Sequence, residues 1–276
     1  MTPEADGKTL AARFRKEHNL GDQPLGDLVA LIEQTTGIDV AVLDVGPDEH
    51  GMTMRDPDRN AVFIAIACTK NPMRQRSTLA HELAHVLFED WIDSTRAGWD
   101  ERTPEEIRAD AFARHLLVPV SGIKESVENR SSVDESTLSA VVQRFLVSPS
   151  IAAIAMCQAG CITEAKKTEW IALTTPALAA RFGWSDQYRA LQTDAGQRRA
   201  PQRLLARAIE GYMEHVVSAQ TLATLRRTDV ETIEAELLDA GLEPSELKIA
   251  WADPADLPDV TVDLKDLEEA GEDLTE

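Results

Sequence analysis

The sequence predicts an α+β fold, with a small mixed β-sheet packed on one helix and mostly α-helical, helix-turn-helix-like units after it. Three short runs rich in β-branched residues lie between residues 38 and 67, and they are separated by turn signals. Beyond residue 122 the apolar residues repeat at helical spacing and indicate no further strand. With 276 residues, 43% of them hydrophobic, the chain is long enough to bury a substantial core.

The first elements are two helices and three strands. Residues 1–20 are predicted to be helical, and Asp27 is a suitable N-cap for a second helix that Gly37 ends. The strands are predicted at residues 38–45, 51–55 and 60–67, with Gly-Pro and Asp-Pro pairs between them. The run at 60–67 is the strongest strand signal in the chain.

Two helices and an irregular stretch come next. Leu79, Leu83 and Leu87 mark one apolar stripe of a helix predicted at residues 73–89. The stretch 90–102 has no regular pattern. Thr103 followed by proline then predicts the start of a helix that runs to residue 117, because threonine caps helices and proline suits the first helical position.

The rest of the chain is predicted to be helical up to an acidic tail. Residues 135–160 and 218–241 resemble helix-turn-helix units, each closed by an Ala-Gly pair. The stretch 183–201 contains glycine, a pair of arginines and a closing proline and is predicted to be a hinge. Residues 253–276 contain ten acidic residues and one basic residue, a composition typical of disorder.

Charge and composition exclude several classes of function. The formal net charge is −20, which argues against a general nucleic-acid binder and against binding to an anionic membrane surface. The longest wholly apolar run, at residues 61–68, is far shorter than the roughly 20 residues of a membrane-spanning helix. Three cysteines make no disulfide framework, and the N-terminus lacks the features of a signal peptide, so we expect a cytoplasmic protein.

The helix predicted at 73–89 carries an H-E-x-x-H motif formed by His81, Glu82 and His85. Positions i and i+4 differ by about 40° around a helix and about 6 Å along it. Both imidazoles can therefore converge on one divalent ion, which favours Zn²⁺. Glu82 is turned by about 100° from His81 and can stand beside the metal, where it takes a proton from the attacking water.

A catalytic zinc site takes three protein ligands, and the third is expected on the next helix. Glu105, Glu106 and Asp110 are the candidates there. Glu106 could instead close a capping box with Thr103. However, Glu106, Asp110 and two alanines share a helix face whose small residues allow a close approach to the H-E-x-x-H helix. Spacing favours Glu106 and leaves the other two carboxylates open.

Two segments together resemble the ImmA/IrrE family of zinc metallopeptidases. The first is R-S-T-L-A-H-E-L-A-H-V-L at residues 76–87, and the second is E-x-x-A-D-x-F-A-x-x-L-L-V-P at 106–119. The resemblance extends over about residues 25–165. Family members are gluzincin-like, and the glutamate that opens the second segment is their third metal ligand, which implies this role for Glu106. The chain departs from the family pattern at Ser77, where phenylalanine is usual, and at Ala84, where glycine is usual.

The resemblance implies a narrow-specificity zinc endopeptidase that cleaves a helix-turn-helix transcriptional repressor in a stress or mobile-element response. Glu82 would act as general base and then deliver the proton to the leaving amine. We expect the strand at 60–67 to be an edge strand to which the substrate adds. The alternative is a non-catalytic regulator that binds a repressor or DNA through its helix-turn-helix-like units.

The predicted organisation is therefore a zinc metallopeptidase domain at 1–125, a helix-turn-helix-like unit at 126–165, a helical accessory domain at 166–252 and the acidic tail at 253–276. DNA binding is disfavoured, because the second helix of the first unit lacks lysine and arginine and that of the second is acidic. One basic cluster stands out, comprising Arg198, Arg199, Arg203 and Arg207. A solvated helix face is the favoured interpretation, and docking of an acidic partner is the alternative.

Overall fold

The computed structural model describes residues 2–46, 51–59, 61–91, 103–128 and 132–245. Within these ranges the chain forms thirteen α-helices and three β-strands. The α+β class is therefore confirmed. The acidic tail at 253–276 and most of the irregular stretch at 90–102 lie outside the described residues.

The sheet is small and mixed. Its strands are β1 (Asp39–Leu43), β2 (Gly51–Asp56) and β3 (Ala61–Ala67), in the spatial order β1-β3-β2. β1 runs parallel to β3, and β2 runs antiparallel to it. The prediction that the strand at 60–67 is an edge strand is wrong, because β3 is the central strand. Pairing on both sides fits its apolar composition, and the edge nearest the H-E-x-x-H helix is β2.

The helices before residue 165 are α1 (Pro3–Glu17), α2 (Leu28–Thr36), α3 (Pro72–Phe88), α4 (Pro104–Leu117), α5 (Val120–Val127), α6 (Glu135–Phe145) and α7 (Pro149–Gln158). The predicted caps of α2 are confirmed. The Asp27 side chain accepts a hydrogen bond from the backbone N–H of Ala30, and Gly37 adopts the left-handed conformation with φ of 69°. Such a φ suits glycine, so the helix ends there and the chain turns into β1.

The helices that follow are α8 (Glu164–Ile171), α9 (Thr175–Arg181), α10 (Ser185–Ala195), α11 (Gln202–Met213), α12 (Ala219–Arg226) and α13 (Val230–Asp239). The stretch 183–201, predicted to be a hinge, contains α10. After the end of α10, within the same stretch, the backbones of Arg199 and Val42 exchange two hydrogen bonds with N–O distances of 2.9 and 3.0 Å. Gly196 follows the last residue of α10 and Pro201 precedes the first residue of α11, so both residues mark ends of helices.

The described residues form two hydrophobic clusters. The larger one joins the sheet, the helices α1 to α7 and the aromatic residues Trp170, Trp184 and Tyr188 from the segment after α7. The smaller one joins α11, α12 and α13 around Leu222 and Ile233. Val40 and Ile64 are neighbours on one sheet face and are fully buried, so the sheet has one face in the larger core.

No single helix among the described residues has both the length and the apolar character to cross a bilayer. Only α6 and α7 taken together reach that length and composition, and they are bent by 107° relative to each other.

The contact between α1 and α4 depends on Gly7. A Cβ placed on this residue would lie 2.3 Å from the backbone oxygen of Arg108 and 2.8 Å from the backbone nitrogen of Phe112. These are backbone atoms of α4, so they cannot move away as a flexible side chain could. The absence of a side chain at Gly7 therefore allows α1 to lie directly on the helix that carries Glu106.

We expect Gly7→Ala to lower the free energy of unfolding by roughly 1–3 kcal/mol, because the added methyl group forces α1 away from α4. Denaturant unfolding followed by circular dichroism measures the change. Gly26→Ala is the matched control, since a Cβ at Gly26 would meet no atom within 4 Å. An equal loss in both variants would contradict this account of the α1–α4 contact.

Candidate metal centre

Helices α3 and α4 build the candidate site. Leu79, Ala80, Leu83 and Ala84 of α3 are buried, as are Ala109, Phe112 and Ala113 of α4. The alanines have little side chain to separate the two axes, so the helices pack closely. The hydroxyl of Thr103 caps α4 by accepting a hydrogen bond from the backbone N–H of Glu106, 3.4 Å away. This fixes the first turn of α4 opposite the histidines of α3.

The structure brings His81, His85 and Glu106 together, with ligand atoms that all lie within 4.8 Å of one another. The Nε2 atoms of the two histidines are 3.0 Å apart. The Glu106 carboxylate lies 3.1 Å from His81 Nε2 and 3.5 Å from His85 Nε2. Donor atoms around a tetrahedral zinc are separated by about 3.3 Å, given bond lengths of about 2.0–2.1 Å. The three donors therefore fit zinc in both type and spacing.

The other two carboxylates that spacing left open do not join this group. Glu105 is exposed. Asp110 contacts His81 at the opposite ring atom, with Oδ1 3.0 Å from Nδ1. A carboxylate at that nitrogen orients the imidazole and fixes which nitrogen is free for a metal. Asp110 is thus an orienting residue, and Glu106 is the carboxylate that faces the two Nε2 atoms.

The second histidine has an outer partner too. Asp90, which follows the last turn of α3, places Oδ2 3.4 Å from His85 Nδ1. Arg108 of α4 holds the same carboxylate through Nε, at 3.2 Å, and through Nη2. Because Asp90 is buried, with 7% of its side chain exposed, this ion pair is shielded from solvent. Each histidine thus has a carboxylate behind it, and α4 positions both carboxylates.

The acidic surroundings favour positive charge between the two helices. Burial lowers the pKa of His81, but the hydrogen bonds and charges of Asp110 and Glu106 outweigh it and raise the pKa to about 10. Conversely, hydrogen bonds from His81 and His85 lower the pKa of Glu106 far below its usual value. The same carboxylates would attract a doubly charged cation, so the electrostatic potential of the site favours the binding of a metal ion.

Glu82 faces the edge strand β2. The hydroxyl of Thr53 donates a 2.8 Å hydrogen bond to Glu82 Oε2. A Cβ on Gly51 would lie 2.9 Å from Glu82 Oε1 and 2.7 Å from Thr78 Cγ2, so any larger residue here would displace the Glu82 or Thr78 side chain. The Glu82 carboxylate is therefore held against β2, and it is not one of the grouped ligands.

Sequence reasoning missed Thr53, Asp90 and Arg108. Thr53 pairs with Ile64 in the sheet, and the alternation of side chains along β2 indicates the face on which Thr53 lies. The alternation does not indicate that Glu82 lies on the same side. Asp90 and Arg108 follow no pattern tied to the motif, because their contact requires the docking of α3 and α4. His115, on the same helix as Glu106, contacts Glu4 of α1, with 3.3 Å between His115 Nε2 and Glu4 Oε1, and is not part of the ligand group.

Residues 33–156 match the family model Peptidase_M78, described as the IrrE N-terminal-like domain. No curated protein matches the chain. Among solved structures, a Mycobacterium tuberculosis transcriptional regulator is similar, at 23% sequence identity, with a TM-score of 0.38 and coverage of 53% of this chain. The chain spans 54% of that structure's length, and the likeness carries no conclusion about function.

We expect zinc binding at pH 8 to release about one proton from His81, because a metal-ligating imidazole must be neutral and this residue is protonated below about pH 10 without metal. Calorimetric titrations in two buffers of different ionisation enthalpy measure the release. In Asp110→Asn the pKa of His81 falls and fewer protons should leave. The titrations are repeated between pH 7 and pH 10, and the same dependence of proton release on pH in both proteins would contradict the assigned role of Asp110.

Proposed function

We propose that the chain is a zinc-dependent endopeptidase of narrow specificity, of the ImmA/IrrE family whose model residues 33–156 match. The observation that carries the proposal is the convergence of His81, His85 and Glu106, with Glu82 held alongside. Two imidazoles and one carboxylate are a donor set found in catalytic zinc sites, which keep one position open. A structural zinc site would have four protein ligands.

His81, His85 and Glu106 are the residues that would hold the ion. Bound zinc would supply Lewis acidity, which polarises the scissile carbonyl and makes water a better nucleophile. The protein's own part is to position these ligands. Asp110 and Asp90 hold the rings from behind, so the two Nε2 atoms stay directed at one point.

Glu82 is the general base of the proposed reaction. It removes a proton from the attacking water and then delivers that proton to the leaving amine. The hydrogen bond from Thr53 fixes one carboxylate oxygen, Oε2, and leaves Oε1 for the proton transfer. Thr53 acts through Glu82, so it is a positioning residue.

We place the peptide substrate along β2, the edge strand beside the site. Within the described part of the chain, β2 pairs only with β3, so its second edge is open to an added strand. Met52, Met54 and Arg55 of β2 are exposed and offer both apolar and charged contacts. A strand that pairs here passes Gly51 and Thr53 and therefore lies next to Glu82.

The substrate that we propose is a helix-turn-helix repressor, which rests on the family resemblance alone. The competing proposal is a regulator that binds a repressor without cutting it. The two are distinguished by incubating the protein with the repressor encoded nearby, with and without a chelator, and by mapping cuts by mass spectrometry. A single zinc-dependent cut supports the peptidase, and binding without cleavage supports the regulator.

Glu82→Gln should lower the cleavage rate by roughly 10²–10⁴-fold while zinc remains bound, because glutamine cannot take up the proton. Metal analysis of the purified protein and a timed cleavage assay measure the two properties separately. His81→Ala is the companion variant and should lose both zinc and cleavage. Full activity in Glu82→Gln would contradict the assignment of the general base.

Thr53→Val should lower kcat by roughly tenfold, since a hydrogen bond to a charged group contributes about 1.5–3 kcal/mol. KM and zinc content should stay close to those of the unmodified protein, because the substitution keeps the backbone groups of β2 that would pair with the substrate and changes none of the three metal ligands. Thr53→Ser keeps the hydroxyl and serves as the control. Unchanged kcat in Thr53→Val, or an equal loss in Thr53→Ser, would contradict the role assigned to the hydroxyl.

A further inference from the structure

A cavity of about 340 Å³ lies at the carboxyl ends of β1 and β3, between the first turns of α3 and the end of α10. It is separate from the metal centre. One part of its wall is apolar and consists of Val42, Ile66, Leu79, Leu146 and Leu191. Another part carries three arginines, namely Arg76, Arg198 and Arg199. The cavity thus combines an apolar body with a cationic side.

Two of these arginines have a buried N–H group without a partner in the described structure, at Nε of Arg76 and Nη1 of Arg198. A buried donor that makes no hydrogen bond costs about 1–3 kcal/mol, more when the group is charged. Such groups are rare in folded proteins and therefore require an explanation. Two arginines with such unpaired donors line the same cavity, which indicates that a ligand with hydrogen-bond acceptors binds in it.

Arg76 contributes a positive charge with which no carboxylate of the described residues forms an ion pair, although the nearby Asp27 favours that charge. Its Nη1 and Nη2 atoms donate to the backbone oxygens of Gly26 and Leu25, at 2.6 and 2.7 Å. Burial lowers its pKa to about 10, a value at which the guanidinium still carries its charge at neutral pH. The charge is therefore available to an anion that enters the cavity.

The remaining charges of the cavity are largely matched. Arg199 donates to Asp27 at 2.6 Å, and Arg198 donates to Asp44 through its other nitrogen, Nη2. Asp194 also lines the cavity. With Asp44 counted, three arginines and three carboxylates stand around the cavity, and among the described residues Arg76 is the arginine of the three without an ion pair. The local charge is thus balanced, in a protein whose formal net charge is −20.

From these observations we infer that the cavity binds a small organic anion, with a carboxylate or phosphate head group on Arg76 and Arg198 and an apolar body against the leucines. The volume lies at the lower end of the range of about 300–1,000 Å³ for small-molecule sites. The head group supplies acceptors for the two orphaned donors. A ligand here contacts both α3, the helix of His81 and His85, and the segment after α10.

Calorimetry on the full chain tests this with four probes: hexanoate, hexyl phosphate, inorganic phosphate and hexanol. The two amphiphilic anions are expected to bind at least tenfold more tightly than hexanol, and the tighter of them identifies the head group. If inorganic phosphate binds as tightly as hexyl phosphate, the apolar chain contributes nothing, and the proposed contact of the ligand with the leucines is overturned. Equal binding of hexanol, or no binding by any probe at millimolar concentration, would overturn the site.

Arg198→Gln should weaken binding of the preferred anion about tenfold, because it removes one charge-assisted hydrogen bond. Asp194→Asn should strengthen binding a few-fold, since it removes a negative charge from the wall. A loss of folding cannot produce this opposite change. Arg203→Gln is the matched control, because Arg203 pairs with Asp39 and does not line the cavity. If all three variants bind equally, the anion does not occupy this cavity.

Discussion

The close packing of α4 on α3 is the contact on which the whole site depends. The alanines at positions 80, 84, 109 and 113 of the two helices are buried, and their small side chains leave room for the backbones to approach. This contact brings Glu106 to the histidines, Asp110 to the back of His81, and Arg108 to Asp90. A larger residue on either face would separate all of these pairs together. α1 adds to the constraint from the opposite side of α4, where Gly7 permits backbone contact.

Three elements thus divide the chemistry among them. In the reaction that we propose, α3 supplies two metal ligands and the general base, α4 supplies the third ligand and orients the imidazole rings, and β2 holds Glu82 through Thr53. The same strand is an open edge of the sheet, so the element that positions the base also offers the surface for a peptide. Binding and proton transfer are therefore linked through a few residues of β2.

Local patterns predicted the parts of this arrangement that depend on helix geometry alone. The spacing of His81 and His85 determines their convergence, and Asp27, Gly37 and Thr103 cap helices where their residue types indicate. The choice among Glu105, Glu106 and Asp110 depends on how α4 docks, so spacing alone left it open. The order of the strands depends on pairing between distant segments. β3 was mistaken for an edge strand, although its continuous apolar run is typical of a strand that is paired on both sides.

X-ray absorption spectroscopy of the zinc-loaded protein tests the central claim, that these two helices build a catalytic zinc site. We predict one zinc per chain in a shell of nitrogen and oxygen only, with two imidazoles at about 2.0–2.1 Å. In Glu106→Ala the imidazole signal should persist while the oxygen contribution changes. A sulfur ligand at about 2.3 Å, from Cys68, Cys157 or Cys161, would contradict the account. Zinc well below one equivalent would contradict it as well.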